Sequence, residues 1–304
     1  MIEPGSPEPE AAPEEPQRQT TPFLVLQFFV FPMAIVAVCV TVFVVFGLIA
    51  AEGKGAREYL HDVRSGSANR RWQAAFELSK VLQAGKDPAL EDPQFVSEVA
   101  ALFEDARADD PRVRRYLALA LGRLGQPAAI PSLREAALGG EDPETRIFST
   151  WALGSIGHES ALDALAELTG DADPGIRKAA AHALGSFPGA RASDALAVLL
   201  RDSVEDVRWN AALALGRRGD ARARDVLLGM LDRERMLSVE GITEAQVETA
   251  TQQAATAAAF LGDPELDAVL AEIAAGAESL ALREAARRAL ESAHQAPNPT
   301  APRP

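Results

Sequence analysis

Apolar residues recur along most of the chain with the spacing of an α-helix. In the stretch DDPRVRRYLALALGRLG, which begins at Asp109, apolar or small residues stand one residue before Arg114 and 3, 4, 7 and 10 residues after it. Positions with this spacing form one face of a helix, whereas a strand would show strict alternation. The pattern therefore predicts an all-α protein.

Four stretches of this kind follow one another at a nearly constant period. The arginines on which they align are 32, 31 and 31 residues apart: Arg114, Arg146, Arg177 and Arg208. Leu-Gly follows each of them, with the leucine seven residues after the arginine. A period near 30 residues is the sequence signature of a solenoid. Weaker copies around Arg71 and Thr251 extend the array to six units, followed by a final helix over Ser279–Ser292.

Each unit is predicted to be a pair of helices. Three units open with Asp-Pro, where Asp caps the first amides and Pro fits the first turn. A second amphipathic helix follows, such as Pro127–Leu138, and neighbouring units must stack because neither helix buries its apolar face alone. Asp and Arg four residues apart share a helical face and can pair. The predicted structural ladder of such pairs contains Asp110, Arg114, Asp142, Arg146, Asp173, Arg177 and Arg208.

The motif D-P-x-x-R-x6-L-G resembles the HEAT-like repeats first associated with phycobilisome bilin lyases. The resemblance covers about residues 67–292. It implies an α-solenoid of about six HEAT-like helix pairs plus a final capping helix. It does not imply lyase activity, because this repeat is an architecture that serves many functions.

A second pattern precedes the repeats, since no charged residue occurs between Arg18 and Glu52. The apolar run is longer than the about 20 residues that cross a bilayer. The alternative is a cleaved signal peptide, but that would have a basic start and an apolar run of about 7–15 residues. The expected organisation is a disordered acidic tail over 1–22, a transmembrane helix over 23–51, a linker over 52–66, a solenoid over 67–292 and a disordered tail over 293–304.

Flanking charge predicts the orientation of this segment. Arg18 is the only basic residue before it, whereas several follow it closely: Lys54, Arg57, Arg64, Arg70 and Arg71. Basic residues stay on the cytoplasmic side of a membrane. We therefore expect the N-terminus outside and the repeats in the cytoplasm. The Ala- and Arg-rich composition favours a bacterium, which would place the chain in the inner membrane.

Composition excludes several functions. The net charge is −14, of which −10 falls after residue 51, and nucleic-acid binding needs a basic surface. The only cysteine is Cys39, and the four histidines lack a partner at the spacing of metal ligands. Motifs for phosphate binding or nucleophilic catalysis are missing. The sequence thus predicts no catalytic residues, no metal, no cofactor and no small-molecule substrate.

Large side chains at two offsets from the repeat arginines form a candidate protein-binding site. Offsets +2 and +5 hold Tyr116 and Leu119 in one unit and Phe148 and Trp151 in the next. One interpretation packs these side chains between neighbouring first helices. The other leaves an exposed aromatic patch of the kind that marks binding surfaces. A competing site is the insert Arg233–Thr243, which interrupts the repeat.

Together these features predict a membrane-anchored, protein-binding scaffold or accessory subunit rather than an enzyme. Its partners would be another protein, with an integral membrane complex among the candidates, and the lipid bilayer. One alternative is a bilin lyase-type enzyme or chaperone, by analogy with the family that the repeats resemble. The other is a nucleic-acid-processing HEAT protein, which the acidic charge disfavours.

Overall fold

The computed structural model describes residues 30–50, 54–140 and 142–295. These residues form sixteen α-helices and contain no strand, which confirms the all-α prediction. The chain divides into two units, the second of which begins at Gly55.

The first unit contributes one described helix, α1, over Phe31–Ala50. It holds no charged residue, and the side chains of residues 30–45 are exposed. Among the residues that the structure describes, no helix is both long and apolar enough to cross a membrane. The predicted tail over 1–22, and residues 23–29 and 51 of the predicted span, lie outside the described residues.

The second unit contains fifteen helices, joined in several places by short 3₁₀ turns. Their bounds are α2 Ala56–Ser65, α3 Ala68–Gln83, α4 Pro93–Asp105, α5 Pro111–Leu124, α6 Ile130–Leu138, α7 Pro143–Ile156, α8 Leu162–Leu168, α9 Pro174–Leu184, α10 Ala190–Leu199, α11 Glu205–Gly216, α12 Arg224–Leu231, α13 Arg233–Leu237, α14 Glu244–Ala258, α15 Pro264–Gly276 and α16 Leu280–Gln295.

Six helix pairs and a final helix account for most of this unit, as the repeat pattern predicts. The pairs begin at α3, α5, α7, α9, α11 and α14, and we number these repeats 1 to 6. The first helices of neighbouring repeats pack directly on one another and form one layer. The second helix of each repeat packs against these first helices and forms a second layer. The final helix, α16, reaches Gln295, and residues 296–304 of the predicted disordered tail lie outside the described residues.

The Leu-Gly pairs of repeats 2 to 5 lie at the contacts between first helices. The leucines are fully buried: Leu121, Leu153, Leu184 and Leu215. The glycine that follows faces an alanine of the next repeat. A Cβ atom added to Gly122 would lie 2.8 Å from the Cα atom of Ala152, which is closer than real side chains approach. Glycine at this offset therefore sets how closely neighbouring first helices pack.

The predicted helix starts are confirmed. The Asp110, Asp142 and Asp173 carboxylates accept hydrogen bonds from backbone amides in the first turns of α5, α7 and α9. The Thr243 and Gln246 side chains form both bonds of a capping box at the start of α14. Asp therefore stands before Pro in these repeats because it satisfies amides that have no partner within the helix.

The linker predicted over 52–66 was wrong, because the structure has helix α2 there. Ala56, Leu60 and Val63 are buried and share one face of this helix. That face packs on α3, the first helix of repeat 1. The spacing of these three residues is helical, but the segment carries no Asp-Pro or Leu-Gly and therefore does not align with the repeats.

The predicted pairing within the ladder was also wrong. Asp110 pairs with Arg112. The guanidinium carbon of the buried Arg114 lies 4.3 Å from the centre of the Phe103 ring, and its Nη1 donates to the Phe103 carbonyl at 3.2 Å. Asp at the helix cap is turned toward the amides of its own first turn, so the arginine four residues later turns elsewhere.

The arginines instead connect successive repeats. Arg146 pairs with Asp171, and its Nε donates to the Ala137 carbonyl at the end of α6, 2.9 Å away. Arg177 Nε and Nη2 lie 2.7 and 2.8 Å from the carboxylate of Asp202. The Arg146 guanidinium at the Ala137 carbonyl complements the negative C-terminal end of helix α6. The ladder thus exists, but its carboxylates come from the loop before the next repeat.

Arg71 follows this pattern, whereas Arg208 pairs within its own helix. Arg71 pairs with Asp109 at 2.6 Å, and its Nε donates to the Val63 carbonyl at the end of α2. Arg208 donates to the Asp202 carbonyl at 2.7 Å and pairs with Glu205. Each arginine therefore fastens its own first helix to a neighbouring loop or helix end.

Candidate protein-binding surface

A row of aromatic side chains crosses the layer of first helices. Tyr116 of repeat 2 and Phe148 of repeat 3 have ring centres 6.2 Å apart, and Trp151 lies 5.3 Å beyond Phe148. On the other side, the Phe76 ring of repeat 1 lies 5.1 Å from Tyr116. We call Phe76, Tyr116, Phe148 and Trp151 the aromatic row. Stacking of the repeats brings the predicted residues side by side.

The aromatic row combines features of both interpretations of the sequence. Tyr116 and Phe148 are half-buried and pack against the core, as a purely structural role requires. Trp151 is 40% exposed and Phe76 is 37% exposed. The rings thus pack on one another, and those of Trp151 and Phe76 remain partly exposed to solvent. A role of these residues in binding stays a prediction.

Phe76 did not stand out in the sequence because its repeat is one of the weaker copies. It follows Arg71 by five residues, which is the offset that holds Leu119 and Trp151 in the next two repeats. The same offset counted from Arg71 of repeat 1 identifies Phe76.

A groove of about 580 Å³ opens beside Trp151, across the first helices of repeats 2 to 5. Leu119 and Trp151 lie on one side of it, and Ala179 and Ala183 of α9 lie on the other. Offset +2 explains the opening, because Ala179 stands where the two preceding repeats hold Tyr116 and Phe148. The aromatic row therefore ends at Trp151, and an apolar depression follows it.

The charged groups of the groove are basic. Arg123, Lys178 and His182 line it, together with polar groups such as Ser186 and Asn210. Arg123 and His182 are exposed. Lys178 Nζ lies 2.7 Å from the Asp206 carboxylate outside the groove. The surface can thus offer apolar contact and positive charge together.

The competing site, the insert Arg233–Thr243, is built into the fold. Its first part forms α13, where Met236 is buried and Arg233 pairs with Glu244. A cavity of about 280 Å³ separates it from Trp209 of repeat 5 and from Leu200, which follows the second helix of repeat 4. Leu237 is its one large apolar side chain exposed among the described residues. The insert offers less apolar surface than the aromatic row.

Among the described residues, no three His, Cys, Asp or Glu side chains cluster as metal ligands would. His61 lies in α2, His158 caps the turn before α8, and His182 lies at the groove.

The geometry defines the second unit as an α-solenoid. Residues 99–185, 135–208 and 167–244 match the family model for HEAT repeats. The chain therefore carries HEAT repeats over residues 99–244, in agreement with the motif read from the sequence.

The chain is similar to several solved structures. One is the complex of CpcE and CpcF of phycocyanin lyase from Nostoc sp. PCC7120, with a TM-score of 0.50 and 17% identity, over 80% of this chain and 96% of that chain. Another is the archaeal HEAT-like repeats protein from Thermococcus onnurineus NA1, with a TM-score of 0.44 and 13% identity, over 80% of this chain and 98% of that one. At these identities the similarity concerns the fold alone. No curated protein matches the chain in sequence.

Proposed function

We propose that this HEAT-repeat protein is a non-enzymatic scaffold that binds another protein along the aromatic row and the adjacent groove. The observation that carries the proposal is the row itself, which continues over three repeats and ends in a partly exposed Trp151. Aromatic side chains of this kind dominate the energetics of protein interfaces.

A finer part of the proposal is that the scaffold is anchored to a membrane. It is supported by the uncharged sequence between Arg18 and Glu52, part of which lies outside the described residues. Helix α1 is the described part of this run; its 20 residues are uncharged, with exposed apolar side chains such as Phe31 and Phe43. Exposed apolar surface of this extent needs a covering partner or lipid. The basic residues after position 52 favour an orientation in which the solenoid lies on the cytoplasmic side of a bacterial inner membrane.

The experiment is partner capture from detergent-solubilised membranes by the full-length protein and three variants. Trp151→Ala removes an exposed ring and should lose the partner while the melting temperature changes little. Phe260→Ala is the matched control, because Phe260 is 55% exposed and lies outside the aromatic row. Deletion of 233–241 tests the competing insert. Partner recovery that survives Trp151→Ala but not the deletion would move the site to the insert, provided that the deletion variant keeps the melting temperature of the parent, because the insert contains the buried Met236.

The same extract separates the alternative functions. A protein recovered in stoichiometric amount supports the scaffold, whereas a bound bilin would favour a lyase-type role. Recovery of nucleic acid would contradict the proposal and the acidic charge on which it partly rests.

A further inference from the structure

The groove beside Trp151 has a charge opposite to that of the chain. The charged residues that line it, among those described, are Arg123 and Lys178, and no carboxylate is among the lining residues. The chain as a whole carries a net charge of −14. A basic site on an acidic protein attracts anionic groups that the rest of the surface repels. The local charge therefore selects among partners.

Apolar side chains line the groove together with the basic ones. They include Leu119 and Trp151 on one side and Ala183 on the other. Lys178 is tied to Asp206, but both side chains are about half exposed, and a pair of that kind contributes little. A ligand with a carboxylate can therefore compete for Lys178. The complementary ligand has apolar groups for the apolar side chains and acidic groups for the basic ones.

The length of the groove favours a chain segment over a compact ion. It extends from Leu119 in repeat 2 to Asn210 in repeat 5, which is three steps between neighbouring first helices. Packed helices lie about 8–10 Å apart, so three steps span roughly 24–30 Å. An extended peptide of about eight residues covers that distance.

We infer that the groove binds a peptide segment of the partner protein in which apolar side chains alternate with Asp or Glu. The inference rests on the proposed function and adds the chemical class of the partner. Apolar anchors contact Trp151 and Leu119, and the carboxylates meet Arg123, Lys178 and His182.

Three synthetic ten-residue peptides test the inference by fluorescence anisotropy with the full-length protein in detergent micelles. Each contains two Leu and one Phe, and the residues between them are all Glu, all Gln or all Lys. We expect the Glu peptide to bind at least tenfold more tightly than the Gln peptide, and the Lys peptide to bind least. Added salt should narrow the difference, because exposed charges are screened. Micelles without protein give the background.

Two variants locate the peptide. Ala179→Phe restores the ring that repeats 2 and 3 carry at the same offset and should fill the groove. Arg123→Glu with Lys178→Glu reverses the charge of the groove. The matched control is Arg134→Glu with Arg201→Glu, which makes the same change of charge at exposed residues outside the groove. We expect at least a tenfold loss of Glu-peptide binding in the first two proteins only, with similar melting temperatures in the charge variants.

The outcomes separate this inference from the proposed function. Equal binding of all three peptides, or no binding of any, would overturn the inference. A 12-nucleotide single-stranded nucleic acid that binds more tightly than the Glu peptide would also overturn it. The proposed function is decided independently by partner capture with Trp151→Ala. If the partner is lost in Trp151→Ala but still binds the variant with reversed groove charges, the scaffold proposal holds. The inference of an acidic peptide then fails.

Discussion

Gly154 and Ala183 hold the first helices of repeats 3 and 4 in close contact. A Cβ atom added to Gly154 would lie 2.6 Å from the Cβ atom and 2.7 Å from the Cα atom of Ala183. The same relationship joins Gly122 to Ala152 in the preceding pair of repeats. Glycine is therefore kept beside the buried leucine because a neighbouring backbone occupies the space of a side chain.

Replacing Gly154 with Ala should destabilise the solenoid although alanine is the better helix former. The added methyl group would force the two helices apart, and overpacking of this kind typically costs about 1–3 kcal/mol. Gly276→Ala is the matched control, because Gly276, like Gly154, lies in the last turn of a helix but has no atom within 4 Å of an added Cβ. Chemical denaturation measures both. Equal stability of the two variants would contradict the close contact.

Leu153→Ala tests the repeat register itself. Leu153 is fully buried in the middle of the array, and truncating such a leucine typically costs about 2–5 kcal/mol. Because a solenoid is held together by neighbour contacts, amide exchange should rise first in the adjacent repeats. Val198→Ala is a suitable control, since Val198 is 67% exposed on a second helix. An unchanged melting temperature for Leu153→Ala would mean that the register is wrong.

Much of the fold could be predicted from the sequence because each repeat restates the same local signals. Asp-Pro marks a helix start, and the buried Leu121 and Leu153 recur at one offset. The partner of Arg146 could not be predicted in this way. Asp171 lies 25 residues further along the chain, and only the stacking of repeats brings the two together. Helix α2 was missed because its apolar spacing is helical but its motif is not.

The pair Arg177–Asp202 makes part of the stability depend on pH. Both side chains are largely buried, with 13% and 7% exposure. The hydrogen bond from the Arg177 guanidinium is the main cause that lowers the pKa of Asp202 below its ordinary value of 3.8. A carboxyl whose pKa is lower in the folded protein stabilises it above the unfolded pKa. This contribution is lost as the pH falls below 3.8 and through the folded pKa.

Asp202→Asn should therefore destabilise the protein at pH 7 by about 1–3 kcal/mol, because a hydrogen-bonded charge loses its partner. The difference from the parent protein should shrink as the pH is lowered below 3.8, because Asp202 becomes protonated in the unfolded chain first and in the folded protein at still lower pH. Asp225→Asn is the control, since the Asp225 side chain is 87% exposed and its replacement should change stability by no more than about 0.5 kcal/mol. Denaturation at pH 7 and pH 3 checks the sign. A constant difference would show that the pair does not titrate as described.

The candidate site shows where prediction from sequence stops. Equal offsets placed Tyr116, Phe148 and Trp151 together correctly, because stacking translates one offset into a row. The groove depends on a residue that looks unimportant in the sequence. Ala179 opens it only because Tyr116 and Phe148 fill the same offset in the repeats before it. The sequence alone does not show that the small side chain of Ala179 opens a groove, because this depends on how the repeats stack.

The segment before the solenoid is predicted to anchor the protein in a membrane. If the uncharged run between Arg18 and Glu52 anchors the protein, the full chain should sediment with membranes and resist extraction by carbonate. A chain that begins at Gly55, where the second unit starts, should remain in the supernatant and keep its helical signal. Release of the full chain by carbonate would contradict the anchor.

Protease protection then tests the orientation. With the repeats in the cytoplasm, protease added to intact spheroplasts should leave them whole, whereas protease added to inverted vesicles should digest them. The control is the melting temperature of the Gly55 chain, because an unfolded solenoid would be digested whenever protease reaches it. Digestion in intact spheroplasts would reverse the predicted orientation. The flanking charge of Lys54, Arg57 and Arg64 would then not have determined it, although basic residues near a span usually do.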